Sequence, residues 1–163
     1  MTISSSITST ADILQKIVAI NDKNTADDHT TALTRFFAAR PPAICIENYA
    51  RRLANQSKCS HQCFILAIIY VDRLVARGMM VNSRSVHRIL LTCLLIAIKF
   101  LDDDLFDNQS FSKFGGISNS ELNSLEVELL DFLEYDIVVE QRHFEEYSRK
   151  METLLRNDSS VAN

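Results

Sequence analysis

Apolar residues crowd two stretches of this chain so densely that helical periodicity gives way to unbroken runs. Phe64 to Val71 is eight apolar residues in succession, and nine of the ten residues from Ile89 to Ile98 are apolar, Thr92 being the exception. A helix that is apolar all round is buried all round. Two such helices, adjacent in sequence, require others packed about them, more than a simple up-and-down bundle of four would need. The first starts at Ser60, a good N-cap, and ends before Gly78, a good residue to follow a helix. The second starts near Asn82 or Ser83 and closes with Lys99.

Three further segments show the one-sided pattern of helices that bury a single face. From about residue 46 to 56, Ile46, Tyr49, Ala50 and Leu53 line one side and Glu47, Asn48, Arg51 and Arg52 the other. Ser118 and Glu121 form a capping box, stapled by Ile117 and Leu122, at the head of a helix carrying Leu125, Leu129, Phe132 and Leu133. Phe144, Tyr147, Met151, Leu154 and Leu155 repeat at the same period in a last helix, after which the chain turns polar and is expected to fray.

The flanks read as accessory. Residues 1–9 look frayed, with Ser9 or Thr10 capping a short helix whose apolar face is Ile13, Leu14, Ile17 and Val18. Asn21 to Thr31 is polar and reads as a linker, and Arg40-Pro41-Pro42 marks the entry to the main domain. The expected division is an extension over 1–40, a helical domain over 41–150, and a helix end with tail over 151–163. Asp102 to Ile117 reads as a long loop anchored by Phe106, Phe111 and Phe114 through one short helical turn.

Composition narrows the fold class to all-α. Three glycines and two prolines in 163 residues leave few of the turn residues that an all-β chain needs, and 47% hydrophobic content is ordinary for a globular domain. A formal charge of −4 gives no general attraction for nucleic acid, and the best basic cluster, Arg51 and Arg52, is small. No stretch reaches the roughly 18–20 apolar residues that span a bilayer. Residues 1–10 are rich in Ser and Thr, without a basic start or an apolar run. Cys45, Cys59, Cys63 and Cys93 are therefore expected to be reduced thiols in the cytoplasm or nucleus, not in a secreted protein.

Candidate chemistry is sparse. Asp102-Asp103-Asp104 with Asp107 lacks the glycine turn and terminal glutamate of a calcium loop, and reads as a solvated loop or as a charged rim for a protein partner. Cys59-Ser60-His61-Gln62-Cys63 has no second Cys/His pair to close a zinc site. No P-loop, nucleophile elbow, dinucleotide fingerprint or H-E-x-x-H motif is present, so no catalytic, cofactor or metal site is expected. Two charges stand out without being decided by pattern. Lys99 closes a buried helix, where it can simply reach outward, and Glu126 lies early in the capped helix, where it can be an ordinary exposed residue.

Laid out this way, the sequence resembles the cyclins, and within them the phosphate-regulon (P/U) type of fungi and protozoa. The resemblance runs from about Pro41 to Lys150. It is carried by Ile69-Tyr70-Val71-Asp72-Arg73-Leu74, by Ile96-Ala97-Ile98-Lys99-Phe100 with the acidic turn after it, and by Lys113-Phe114-Gly115-Gly116-Ile117 leading to Glu121-Leu122-Asn123-Ser124-Leu125-Glu126. It implies a single cyclin box of five core helices, the third at the centre, with short helical extensions at both ends. It further implies a non-enzymatic regulatory subunit, monomeric when unbound, that binds and activates a cyclin-dependent protein kinase. Lys99 and Glu126 would contact the kinase beside its regulatory αC helix, and Asp72 would pair with an arginine of the first box helix. The chain departs from many cell-cycle cyclins in having Tyr49-Ala50-Arg51-Arg52-Leu53 where those carry Met-Arg-Ala-Ile-Leu, which leaves open both a substrate-docking patch and the arginine that meets Asp72. The alternative expectation is a related helical adaptor of transcription-factor type, binding nucleic acid or a protein other than a kinase.

Overall fold

The apolar run of residues 89–98 forms the middle of α4 (Val86–Leu101), and every residue in it is buried. Its one hydroxyl is satisfied locally, Thr92 Oγ1 donating to the Arg88 carbonyl at 2.7 Å. The structure, a computed structural model, describes residues 1–24, 35–103 and 106–161. Among the described residues it is all helical, with α1 (Ile3–Asn24), α2 (Ile46–Ser57), α3 (His61–Ala76), α4, α5 (Asn108–Gly115), α6 (Asn119–Phe132) and α7 (Gln141–Val161). α4 packs against α2, α3, α5 and α6, which puts it at the centre, while α3 packs on α4, α1 and α7. That is the arrangement expected of one cyclin box around a buried middle helix.

The N-terminus corrects the reading of residues 1–9 as frayed. α1 begins at Ile3, and its cap is made not by Ser9 or Thr10 but by Thr2, whose Oγ1 accepts from Ser5 N at 3.2 Å while Ser5 Oγ accepts from Thr2 N at 2.8 Å. Ser6, Ser9 and Thr10 are buried, as are Ile7, Ala11 and Leu14, and Ser9 Oγ donates to the Met151 carbonyl at 3.0 Å. Small side chains let α1 approach α7 closely, so packing stabilises a segment whose own helix propensity is poor. α1 packs on α2, α3 and α7, and its end is tied to the α3–α4 turn by Asn21 Nδ2 to the Val81 carbonyl at 2.7 Å. Residues assigned to an extension thus share the core. Of the linker expected over 21–31, residues 21–24 are the end of α1 and the rest lies outside the described residues.

The segment expected as a loop contains α5. Asp107 caps it, Oδ1 accepting from Ser110 N at 2.8 Å, and this hydrogen bond holds its carboxyl below the usual carboxylate range. The three phenylalanines stack edge to face, Phe106 on Phe114 at 5.2 Å and Phe111 on Phe114 at 5.8 Å between ring centroids. Gly116 ends the helix with φ 73°, a conformation that favours glycine. Gly115 is needed for a different reason. A methyl group there would fall within 2.7 Å of Leu91 Cδ1, so the fully buried Leu91 side chain of α4 would have to shift. Gly115→Ala is expected to cost about 1–3 kcal/mol, as overpacking does; a melting temperature equal to that of the parent would contradict this packing.

The polar and aromatic side chains of α2 find their use here. Tyr49 is buried and donates through its hydroxyl to the Gly115 carbonyl at 2.9 Å, and Arg52 Nη2 donates to the Lys113 carbonyl at 3.2 Å. Both residues hold the C-terminal end of α5 against α2. Arg51 instead pairs with Glu47 at 2.8 Å along its own helix.

Candidate functional site

Lys99 and Glu126, 27 positions apart in sequence, meet in the structure: Lys99 Nζ lies 2.6 Å from Glu126 Oε1. Lys99 stands in the last turn of α4, where the helix dipole favours a cation. Leu122, Leu125 and Leu129 bury the inner face of α6, and Glu126 sits on the flank beside them. The side chains are 37% and 16% exposed, so the pair is presented at the surface without being fully solvated. The other carboxylate oxygen, Oε2, accepts from Asn108 Nδ2 at 2.8 Å, and the same amide donates to Asn123 Oδ1 at 2.7 Å.

Apolar surface surrounds these charges. A hollow of about 160 Å³ lies against Lys99 and Glu126, walled by Ile96, Phe100, Leu130 and Ile137. Phe100 remains 44% exposed, and Leu101 and Phe106 are exposed nearby. The charged pair and the exposed apolar residues thus share one face of the molecule.

The acidic cluster divides into separate tasks. Asp102 follows the C-terminal end of α4, but it faces the start of α3, where its carboxylate accepts from Ser60 N at 3.2 Å and from Ser60 Oγ at 3.0 Å. The Cys63 thiol also donates to it, at 3.4 Å. The carboxylate thus ties the C-terminal end of α4 to Ser60, the residue ahead of α3, and it lies where the helix dipole favours a negative charge. Asp107 caps α5, Asp103 is exposed, and Asp104 lies outside the described residues. The Cys63 thiol is held above its usual range by its hydrogen bond with Cys59 and by burial, and the same hydrogen bond lowers Cys59. Among the described residues no group of three or more His, Cys, Asp or Glu is placed to hold a metal ion.

Asp72 differs from its expected role. Its carboxylate accepts from the Tyr147 hydroxyl of α7, and among the described residues no cation pairs with it. The arginines of α2, the first box helix, are engaged elsewhere, Arg51 with Glu47 and Arg52 with the α5 end. Burial, and then the Asp72 carboxylate, hold the Tyr147 phenol well above the usual phenol range. The neighbouring motif residues anchor the α6–α7 connection. Tyr70 hydroxyl donates to the Ile137 carbonyl at 2.8 Å, and Arg73 donates to the carbonyls of Asp136 at 2.6 Å and Val138 at 3.0 Å. Ile137 is thereby fixed as a wall of the hollow.

A family model described as Cyclin matches residues 2–137, from the start of α1 to that wall. The chain belongs to the cyclin family. Cyclin-U1-1 of Arabidopsis thaliana is 36% identical over 154 residues, a stretch that covers 92% of this chain and 73% of the relative. Cyclin-P3-1 of Oryza sativa subsp. japonica is 37% identical over 140 residues, covering 85% of this chain and 58% of the relative. Cyclin-U4-3 of Arabidopsis thaliana is 32% identical over 159 residues, with 94% and 71% covered. This cyclin is thus of the P/U type, and the relatives it matches here are plant proteins. Cyclins are regulatory proteins, and membership gives this one a kinase partner in general terms.

Three parts of the cyclin's surface escaped the sequence reading. Asn108 lay in an expected loop, although Asp107 followed by Phe111 and Phe114 at helical spacing was a usable signal. The hollow joins residues of α4, α6 and the connection after it, and Tyr147 finds Asp72 from 75 positions away. Neither leaves a local trace.

Proposed function

We propose that this cyclin binds a cyclin-dependent protein kinase through the face around Lys99 and Glu126 and holds the kinase αC helix in its active position. The observation that carries the reading is the partly exposed Lys99–Glu126 pair, set beside an apolar hollow on the central helix. Opposite charges at one point offer both a donor and an acceptor to a kinase segment, and the hollow takes an apolar side chain from it. The cyclin does no chemistry. Its binding energy differs between the inactive and active arrangements of the kinase, and that difference shifts the population toward the state in which the kinase Lys–Glu pair and Mg²⁺-binding Asp are aligned. The adaptor alternative gains little support, because Arg51 and Arg52, its best basic cluster, are both engaged within the fold.

The test is an activity assay with purified components. The isolated cyclin is expected to hydrolyse no ATP and to phosphorylate nothing, while raising the rate of its cognate kinase on a peptide substrate. ATP turnover that stays with the cyclin through further purification would refute the regulatory reading, and so would a failure to stimulate every cyclin-dependent kinase of the same cell.

A further inference from the structure

We infer that Asn108 is a positioning residue for the kinase contact, its amide fixing the Glu126 carboxylate in the orientation the kinase meets. The inference rests on the reading of Glu126 given above. Glu126 is held at both oxygens by the fold itself, Oε1 by Lys99 at 2.6 Å and Oε2 by Asn108 Nδ2 at 2.8 Å. The second hydrogen of the same amide goes to Asn123 Oδ1 at 2.7 Å, one turn earlier on α6. Asn108 therefore clamps two neighbouring positions of α6 from the first residue of α5. Its own place is fixed by the Asp107 cap and by the phenylalanine stack that holds α5 down.

The other end of the amide shows what the site requires. Asn108 Oδ1 is buried and has no hydrogen-bond partner. An unpaired buried acceptor is unfavourable, so packing alone gives no reason for an amide there. The reason is the donor end, which meets two acceptors on α6. A glutamate otherwise has several rotamers to lose when a partner docks, and a carboxylate already fixed at both oxygens loses almost none. The amide thus raises affinity without touching the kinase.

A double-substitution cycle on the full chain tests this. The probe is the purified catalytic subunit of the cyclin-dependent kinase that the wild-type chain activates, and binding is read by titration calorimetry. Asn108→Ala is expected to weaken binding roughly three- to tenfold. Asn108→Ser, polar but too short to reach Glu126, should match it, and Asn108→Asp, which sets a second carboxylate against Glu126, should bind more weakly still. In a Glu126→Ala background, Asn108→Ala is expected to have no further effect, because the group it positions is gone. An undiminished loss in that background would make Asn108 a direct contact or a general support of the fold, and would overturn the inference. Unchanged binding by both the Ala and Ser variants, alongside weak binding by Glu126→Ala, would overturn it too while leaving the kinase contact standing. Full binding by Glu126→Ala would instead remove the kinase contact itself, and the inference with it.

Discussion

Leu95→Ala is expected to lower the stability of the protein by about 2–5 kcal/mol, the range found when a large buried side chain is cut to a methyl. Leu95 is 1% exposed and lies inside the apolar run of α4. Four helices pack on α4, so the space left by the missing carbons is walled by elements that are themselves fixed by other contacts. A hole of that kind collapses poorly, which places the cost in the upper part of the range. For a chain of this size the melting temperature should fall by roughly 5–20 °C. An unchanged melting temperature would mean that α4 is not the centre of the fold.

The second large effect is on association. Lys99→Ala and Glu126→Ala are each expected to weaken kinase binding by about 2–5 kcal/mol, at least about thirtyfold, because either truncation leaves a kinase group buried without its partner. The same variants should fold nearly normally. A pair exposed to this degree contributes at most about 1 kcal/mol to stability, and Lys99 and Glu126 are 37% and 16% exposed. Asp72→Ala provides the contrast. It removes the acceptor of the Tyr147 hydroxyl, which ties α7 to α3, so it should cost about 1 kcal/mol of stability and leave kinase affinity nearly intact. Melting temperature and affinity measured side by side on the three variants separate the two roles. Wild-type affinity in both the Lys99 and Glu126 variants would remove the proposed interface while leaving the cyclin fold untouched.

These contrasts follow the line between local and long-range information. α3, α4 and α6 were legible because burial on every side and a capping box are written in consecutive residues: eight apolar positions from Phe64, nine of ten from Ile89, and Ser118 ahead of Glu121. Ser118 Oγ does accept from Glu121 N, at 3.1 Å, but the Glu121 carboxylate is drawn away to Arg88 of α4, at 2.5 Å. The local half of the motif survived, and tertiary structure took the rest.

The sequence by itself therefore determined that α2, α3, α4, α6 and α7 are helical and that α3 and α4 lie inside. Lys99 and Glu126 were singled out by family resemblance, not by pattern. Only the tertiary structure decided which polar groups find each other. Residues 3–10, rich in Ser and Thr, are helical because α7 accepts their small side chains, a choice no propensity encodes. Asp102 holds Ser60, the residue ahead of α3, from 42 positions away, and Tyr147 rather than an arginine reaches Asp72 across 75. The physical reason is the same in each case. An apolar pattern specifies a face to be buried but not its partner, since the hydrophobic effect has no direction, whereas a hydrogen bond needs donor and acceptor within about 3 Å. That distance is set only after the helices have packed.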